Sequence, residues 1–153
     1  MSAPGKLSEH FALSEFVKSP TAERLGIDNT PPVEAIESLR MVALRVLEPV
    51  RAKFGPVHVN SGYRCHDLNA ACGSKDTSQH RKGEAVDFEC PPHGNADVAQ
   101  WVRDNLEFDQ VILEFYTPGE PDSGWVHVSY VPGGNRKQAL TITKAGTKEG
   151  LQP

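Results

Sequence analysis

The chain has 153 residues, about the length of one globular domain, and its hydrophobic residues make up 38% of the sequence, which excludes global disorder. With 16 Lys and Arg against 20 Asp and Glu, the net charge of -4 argues against a nucleic-acid partner. No apolar run approaches the roughly 18 residues that a membrane-spanning helix needs, so no membrane partner is expected.

The first residues do not predict an export signal. Residues 1–6 are followed by Ser8, Glu9 and His10, where a secretory signal would have about 7 to 15 apolar residues. We therefore expect a protein that is made in the cytoplasm without an export signal of its own.

The three cysteines predict neither a disulfide framework nor a thiolate zinc site. Cys65, Cys72 and Cys90 are odd in number and lack the C-x2-C spacing of a thiolate zinc site. We expect all three to be buried, reduced thiols.

The N-terminal third is predicted to be helical. Short helices are expected around Ser14 and over residues 20–25, where Gly26 ends the second one. The strongest periodicity of three and four residues runs from Pro32 to Phe54 and predicts a long amphipathic helix, which Pro49 kinks or ends early. We interpret residues 1–153 as a single domain, in which residues 1–30 form an N-terminal helical arm.

The remainder of the chain is rich in predicted strands. They are expected near residues 57–60 and over 85–90, 110–115, 125–130 and 139–143, with helices over 65–72 and 96–106. Helices followed by a strand-rich half indicate an α+β fold with a mostly antiparallel sheet.

Two of these strands carry a metal-competent group on the face away from the core. Val86 and Phe88 would face inward and leave Asp87 on the opposite face, and His127 alternates with Val126 and Val128 in the same way. The polar loop before the first of these strands brings His80 within reach. Two histidines, one carboxylate and an open fourth position are typical of a catalytic zinc site.

Three sequence blocks carry a resemblance to a known family. They are Ser61-Gly62-Tyr63-Arg64, residues 78–87 with the pattern Ser-x-His-x-x-Gly-x-Ala-x-Asp, and Trp125-Val126-His127-Val128-Ser129. In this order and spacing they resemble the zinc D-alanyl-D-alanine carboxypeptidase family, which includes the L-alanyl-D-glutamate endopeptidase endolysins of phages. The likeness to a single-domain, phage-encoded branch spans nearly the whole chain.

The resemblance implies a fold, a cofactor and a substrate. The fold would be that of the zinc DD-peptidases (the hedgehog/DD-peptidase-like fold), with helices packed on one face of the sheet, and His80, Asp87 and His127 would bind one Zn²⁺ per chain. The enzyme would hydrolyse a peptide bond of the peptidoglycan stem peptide, as an L-alanyl-D-glutamate endopeptidase or a D-alanyl-D-alanine carboxypeptidase. We expect a monomer that is released from the host cytoplasm to degrade the cell wall, as a phage endolysin does.

The catalytic base is where the chain departs from the family. Relatives that hydrolyse dipeptides keep a Glu three residues before the last histidine, and that position is Gly124 here. Alternation in its strand puts Glu114 on the face away from Val111, Leu113 and Phe115, so Glu114 is the predicted base. Asp122, in the loop before His127, is the alternative.

Two further residues are predicted to contact the substrate. The resemblance assigns the position of Arg64 to stabilising the developing oxyanion or binding a substrate carboxylate, which suits a permanently charged guanidinium. Ser78 would bind substrate or orient its loop.

Two other function classes remain open from the residues alone. Two histidines and a carboxylate also form the facial triad of non-haem iron oxygenases, although the gap of seven between His80 and Asp87 differs from the usual His-x-Asp. The missing Glu at position 124 would also fit a catalytically weak virion or cell-wall binding module on the same fold.

Overall fold

The computed structural model describes residues 5–153, and in this part of the chain six strands form a single sheet. The order is β1-β2-β4-β3-β5-β6, and every neighbouring pair is antiparallel except the parallel pair β3 and β5. The predicted α+β fold with a mostly antiparallel sheet is therefore confirmed. The strands are β1 His58–Ser61, β2 Ala85–Glu89, β3 Gln110–Glu114, β4 Trp125–Ser129, β5 Gln138–Thr143 and β6 Gly146–Glu149.

Some helices precede the first strand in the chain, and others lie between consecutive strands. They are α1 Ser14–Val17, α2 Pro20–Leu25, α3 Val33–Val42, α4 Glu48–Phe54, α5 His66–Ala71 and α6 Asn95–Asn105. A 3-10 turn, Gln79–Lys82, lies just before β2. Among the described residues, no helix combines the length and the apolar character needed to cross a bilayer.

The hydrophobic core lies on one face of the sheet. Alternate strand residues such as Val86, Phe88 and Val126 pack there with Leu39 of α3 and Val102 of α6. The residues between them in sequence are left on the other face, so the alternation that builds the core also collects the polar side chains opposite it.

The predicted long helix is continuous but changes its winding before Pro49. Residues Ala43–Leu47 form a π-helical turn between α3 and α4, in which the backbone N–H of Glu48 donates to the carbonyl of Ala43. Proline in a helix lacks a donor and collides with the carbonyl four residues earlier. A wider turn accommodates Pro49, which is why the helix reaches Phe54 without the predicted early end.

Three expectations need correction or fall outside the structure. Cys72 is exposed and Cys65 is half-buried, so only Cys90 fits the prediction of buried thiols, although all three are free. Strand β6 was not predicted, because all four of its residues are exposed and it lacks an apolar alternation. Residues 1–4, the start of the expected helical arm and of the segment judged to lack an export signal, lie outside the described residues.

Asp109, just before β3, joins the sheet to the turn that carries His80. Its carboxylate accepts hydrogen bonds from the backbone and guanidinium of Arg136 and from the amide of Gln79. These hydrogen bonds, those of Arg136 above all, outweigh burial and lower the pKa of Asp109 to about 2. Because this pKa lies below the ordinary 3.8, the contribution to stability is complete above that value and is lost as the pH falls towards 2.

Replacing Asp109 with Asn should therefore destabilise the fold in a pH-dependent way. We expect urea unfolding to show a loss of about 2 kcal/mol at about pH 6, and a smaller loss at about pH 3. The control is Asp104→Asn, which removes an exposed carboxylate paired with neighbouring Arg103 and should change little. A deficit for Asp109→Asn that is the same at both pH values would contradict this account.

Candidate active site

His80 is placed by the 3-10 turn and fixed in orientation by the backbone. The Ser78 hydroxyl accepts from the His80 backbone N–H at 3.3 Å and caps the turn. Gly83 ends the turn at φ 73°, where a Cβ would collide with the carbonyl oxygen of Ala35. The Nδ1 of His80 donates to the carbonyl of Gly62 at 2.7 Å, which leaves Nε2 free to act as a ligand.

Asp87 and His127 face each other across two neighbouring strands. They are directly paired in the register of β2 and β4. His127 Nδ1 lies 2.9 Å from Asp87 Oδ1, and His80 Nε2 lies 3.4 Å from Asp87 Oδ2. All three side chains are buried, with residue exposures of 4% for His80, 5% for Asp87 and 7% for His127.

His80, Asp87 and His127 have shifted pKa values because they are buried next to one another. Burial would favour a neutral Asp87, but the nearby His80 and His127 outweigh it and hold the pKa of Asp87 well below its usual range. Burial lowers the pKa of His80. Burial also acts to lower the pKa of His127, yet the hydrogen bond to Asp87 and the charges of Asp87 and Glu114 raise it overall. An ionised carboxylate between two imidazoles is thus the stable arrangement.

This arrangement fits a divalent metal ion. The ligand atoms that the three residues offer all lie within 4.8 Å of one another. Zinc bonds of about 2.0–2.1 Å in a tetrahedron separate ligand atoms by about 3.3 Å. The two histidine nitrogens lie 3.4 and 2.9 Å from the nearer Asp87 oxygen, which is close to that value. Two imidazoles and a carboxylate are also a donor set that zinc prefers, and the fixed orientation of His80 supplies the outer support such sites need.

Glu114 lies beside these ligands at the end of β3. Its Oε1 is 3.3 Å from His127 Nδ1, and its side chain is 19% exposed. Burial, supported by the charge of Asp87, raises the pKa of Glu114 against the opposing effects of His127 and Arg64. A partly buried carboxylate with a raised pKa is suited to accept a proton near neutral pH.

Arg64 is held over the site by two serines that the sequence did not single out for a role. Its Nε donates to Ser61 Oγ and its Nη1 to Ser74 Oγ, each at 3.2 Å, while Nη2 lies 3.6 Å from Asp87 Oδ2. The amide of buried Asn69 in turn donates to the carbonyl of Lys75, which fixes the loop of Ser74. The polar composition of this loop indicates only that it is exposed, so no sequence signal could have identified Ser74.

The predicted residues share one cavity with a single exception. The cavity has a volume of about 470 Å³. Asp122, the alternative base, lies outside it, beside a separate cavity lined by Glu89, His93 and Asn95. The lining of the first cavity comprises Arg64, Cys72, Gly73, Ser74, Ser78, His80, Asp87, Glu114, Phe115, Trp125 and His127.

Phe115 also lines this cavity, although the alternation in β3 predicts that its side chain faces the core. It was expected to pack inward with Val111 and Leu113, but it is 61% exposed. Its φ of 51° breaks the alternation after Glu114, so the next residue, Tyr116, enters the core in its place.

A family model matches most of the chain. Residues 9–129 match a family model described as Peptidase M15. The matched range includes Arg64, the three potential metal ligands and Glu114. A search of curated proteins finds no match.

Proposed function

The chain belongs to the Peptidase M15 family, and from this membership we propose that it is a zinc peptidase that hydrolyses an amide bond of the peptidoglycan stem peptide. The membership makes the protein a hydrolase that acts on peptides. The observation that carries the finer proposal is the buried set of His80, Asp87 and His127, which shares one cavity with Glu114 and Arg64.

His80 Nε2, Asp87 and His127 Nδ1 would hold the zinc ion. Bound zinc would polarise the scissile carbonyl and acidify the attacking water. The Gly62 carbonyl keeps the His80 ring in the required orientation, and the burial of the three ligands keeps their charges unscreened by bulk water.

Glu114 and Arg64 complete the chemistry. Glu114 accepts the proton of the attacking water at its carboxylate and passes it to the leaving amine. Arg64, oriented by Ser61 and Ser74, presents its guanidinium to the developing oxyanion or to a carboxylate of the stem peptide. A second carboxylate is not required, because one base can serve both proton transfers.

The bond cleaved is proposed to be the one between L-alanine and D-glutamate, on the strength of the resemblance to phage endolysins. The same resemblance supports a monomeric phage product that waits in the host cytoplasm and degrades the wall once it is released. A D-alanyl-D-alanine carboxypeptidase would use the same residues and is the alternative outcome of the test.

Mass spectrometry of muropeptides tests the proposal. Purified walls incubated with the zinc-loaded protein should yield stem peptides with a newly exposed amine on D-glutamate. Free D-alanine would instead identify the carboxypeptidase, and no released peptide at all would overturn the peptidase assignment. In a second arm, expression inside a bacterial host should cause lysis only when a pore-forming protein is co-expressed.

A further inference from the structure

Phe115 combines two features that are unfavourable for an ordinary surface residue. Its φ is 51°, and Lys137 at 55° is the only other non-glycine residue with a positive φ in residues 5–153. The residue is also 61% exposed to solvent. A left-handed backbone strains a residue with a Cβ, and an exposed ring forgoes hydrophobic stabilisation. Such an outlier beside an active site is a reason to look for a function.

The exposed ring of Phe115 is paired with a second ring. The Phe115 and Trp125 centroids are 5.1 Å apart, with the planes tilted by 32°. Gly124 makes this pairing possible, because its φ is 63° and a Cβ there would collide with the carbonyl oxygen of Glu114. Glycine at position 124 therefore lets β4 start directly against the end of β3.

The two rings supply the apolar part of the lining of an otherwise polar cavity. Phe115 and Trp125 are the only large apolar side chains among its described lining residues. They flank the groups proposed for catalysis, since Phe115 follows Glu114 directly and Trp125 lies two residues before His127. A substrate held at those groups would place its neighbouring side chain near the rings.

We propose that Phe115 and Trp125 form an aromatic wall that selects an apolar side chain next to the scissile amide. This inference rests on the proposed function and names a specificity determinant for it. The charged groups of the cavity can bind carboxylates and the reacting amide, but they cannot distinguish alanine from glycine. A methyl group that packs on the aromatic wall displaces water from both apolar surfaces, and this burial makes its binding more favourable.

The test uses two synthetic stem peptides that differ by one methyl group. The residue on the amino side of the cleaved bond is alanine in one peptide and glycine in the other. We expect kcat/KM of the native enzyme to favour alanine by about 10-fold, within the range that one methyl group can supply. In Phe115→Gly the preference should fall to about 2-fold, and Phe115→Tyr should restore it.

Stability measurements separate this role from a structural one. Phe115→Gly relieves the left-handed strain, so its thermal midpoint should be equal to or higher than that of the native protein. Lys137→Gly is the matched control, because it relieves the same strain away from the cavity and should leave the alanine preference unchanged. Phe115→Asn, which tolerates the same backbone, is the second variant and should also lose the preference. An alanine preference that survives in Phe115→Gly or in Phe115→Asn would overturn the proposal.

Binding distinguishes failure of this inference from failure of the proposed function. The sequence has two tryptophans, so Trp101→Phe leaves Trp125 as the single fluorescent reporter. In that background, with Glu114→Gln added, the alanine peptide should change Trp125 fluorescence and bind about 10-fold more tightly than the glycine peptide. This result without any cleavage by the native enzyme would support the aromatic wall and reject the peptidase. Cleavage by the native enzyme with equal binding of both peptides would reject the aromatic wall alone.

Discussion

Replacing His80 with alanine should abolish both metal binding and peptide hydrolysis. The imidazole would supply one of three ligand atoms, and its neighbour Asp87 would be left beside a single imidazole in a buried site. Two remaining ligands do not hold zinc in a catalytic geometry. We expect near-stoichiometric zinc in the native protein, almost none in the variant, and a fall of kcat/KM of at least about 10³-fold. Elemental analysis and stem-peptide hydrolysis measure the two effects.

The matched control is replacement of a histidine outside the site, His58. His58 lies on β1 of the same sheet but is exposed, and His58→Ala should keep the zinc content and the activity of the native protein. Full activity of His80→Ala, or activity of the native protein in the absence of any bound metal, would contradict the metal-centred mechanism. Activity that depends on iron and oxygen would instead favour the facial-triad alternative.

The sequence could predict the fold class and the face of the sheet on which the ligands lie. Both follow from local patterns, since the two-residue period in β2 and β4 assigns Asp87 and His127 to the face opposite Val86 and Val128. The register that pairs Asp87 directly with His127 is a long-range property. It depends on β4 joining β2 after α6 and β3 have intervened, and a period of two does not specify that pairing.

At Phe115 and Pro49 the structure departs from regular backbone geometry. Strand alternation predicts an inward Phe115 only if the strand continues past Glu114, but Phe115 has a left-handed backbone. Of the two alternatives expected at Pro49, a kink or an early end, the early end does not occur, because a π-helical turn accommodates the proline. The roles of Ser61 and Ser74 depend on where the Arg64 guanidinium points, which only the assembled cavity determines.

Gly124 explains why the base can be carried by another strand. The family resemblance leads one to expect a Glu at this position, on the chain just before the last histidine. Here the positive φ of Gly124 and the contact with the Glu114 carbonyl exclude a side chain. The direct pairing of Glu114 with Trp125 instead brings a carboxylate from β3 to the same histidine. We propose that this carboxylate takes the place of the glutamate that the family resemblance leads one to expect at position 124.

Glu114→Gln should consequently separate catalysis from metal binding. Glutamine keeps the shape of the side chain but cannot accept a proton, so we expect kcat to fall by about 10²- to 10⁴-fold while the zinc content stays that of the native protein. Single-turnover hydrolysis of a stem peptide and elemental analysis of the same sample measure both. Asp122→Asn is the matched control, and it should remain active because Asp122 lies beside a different cavity. An inactive Asp122→Asn with an active Glu114→Gln would reverse the assignment of the base, whereas loss of zinc in Glu114→Gln would make Glu114 a metal ligand.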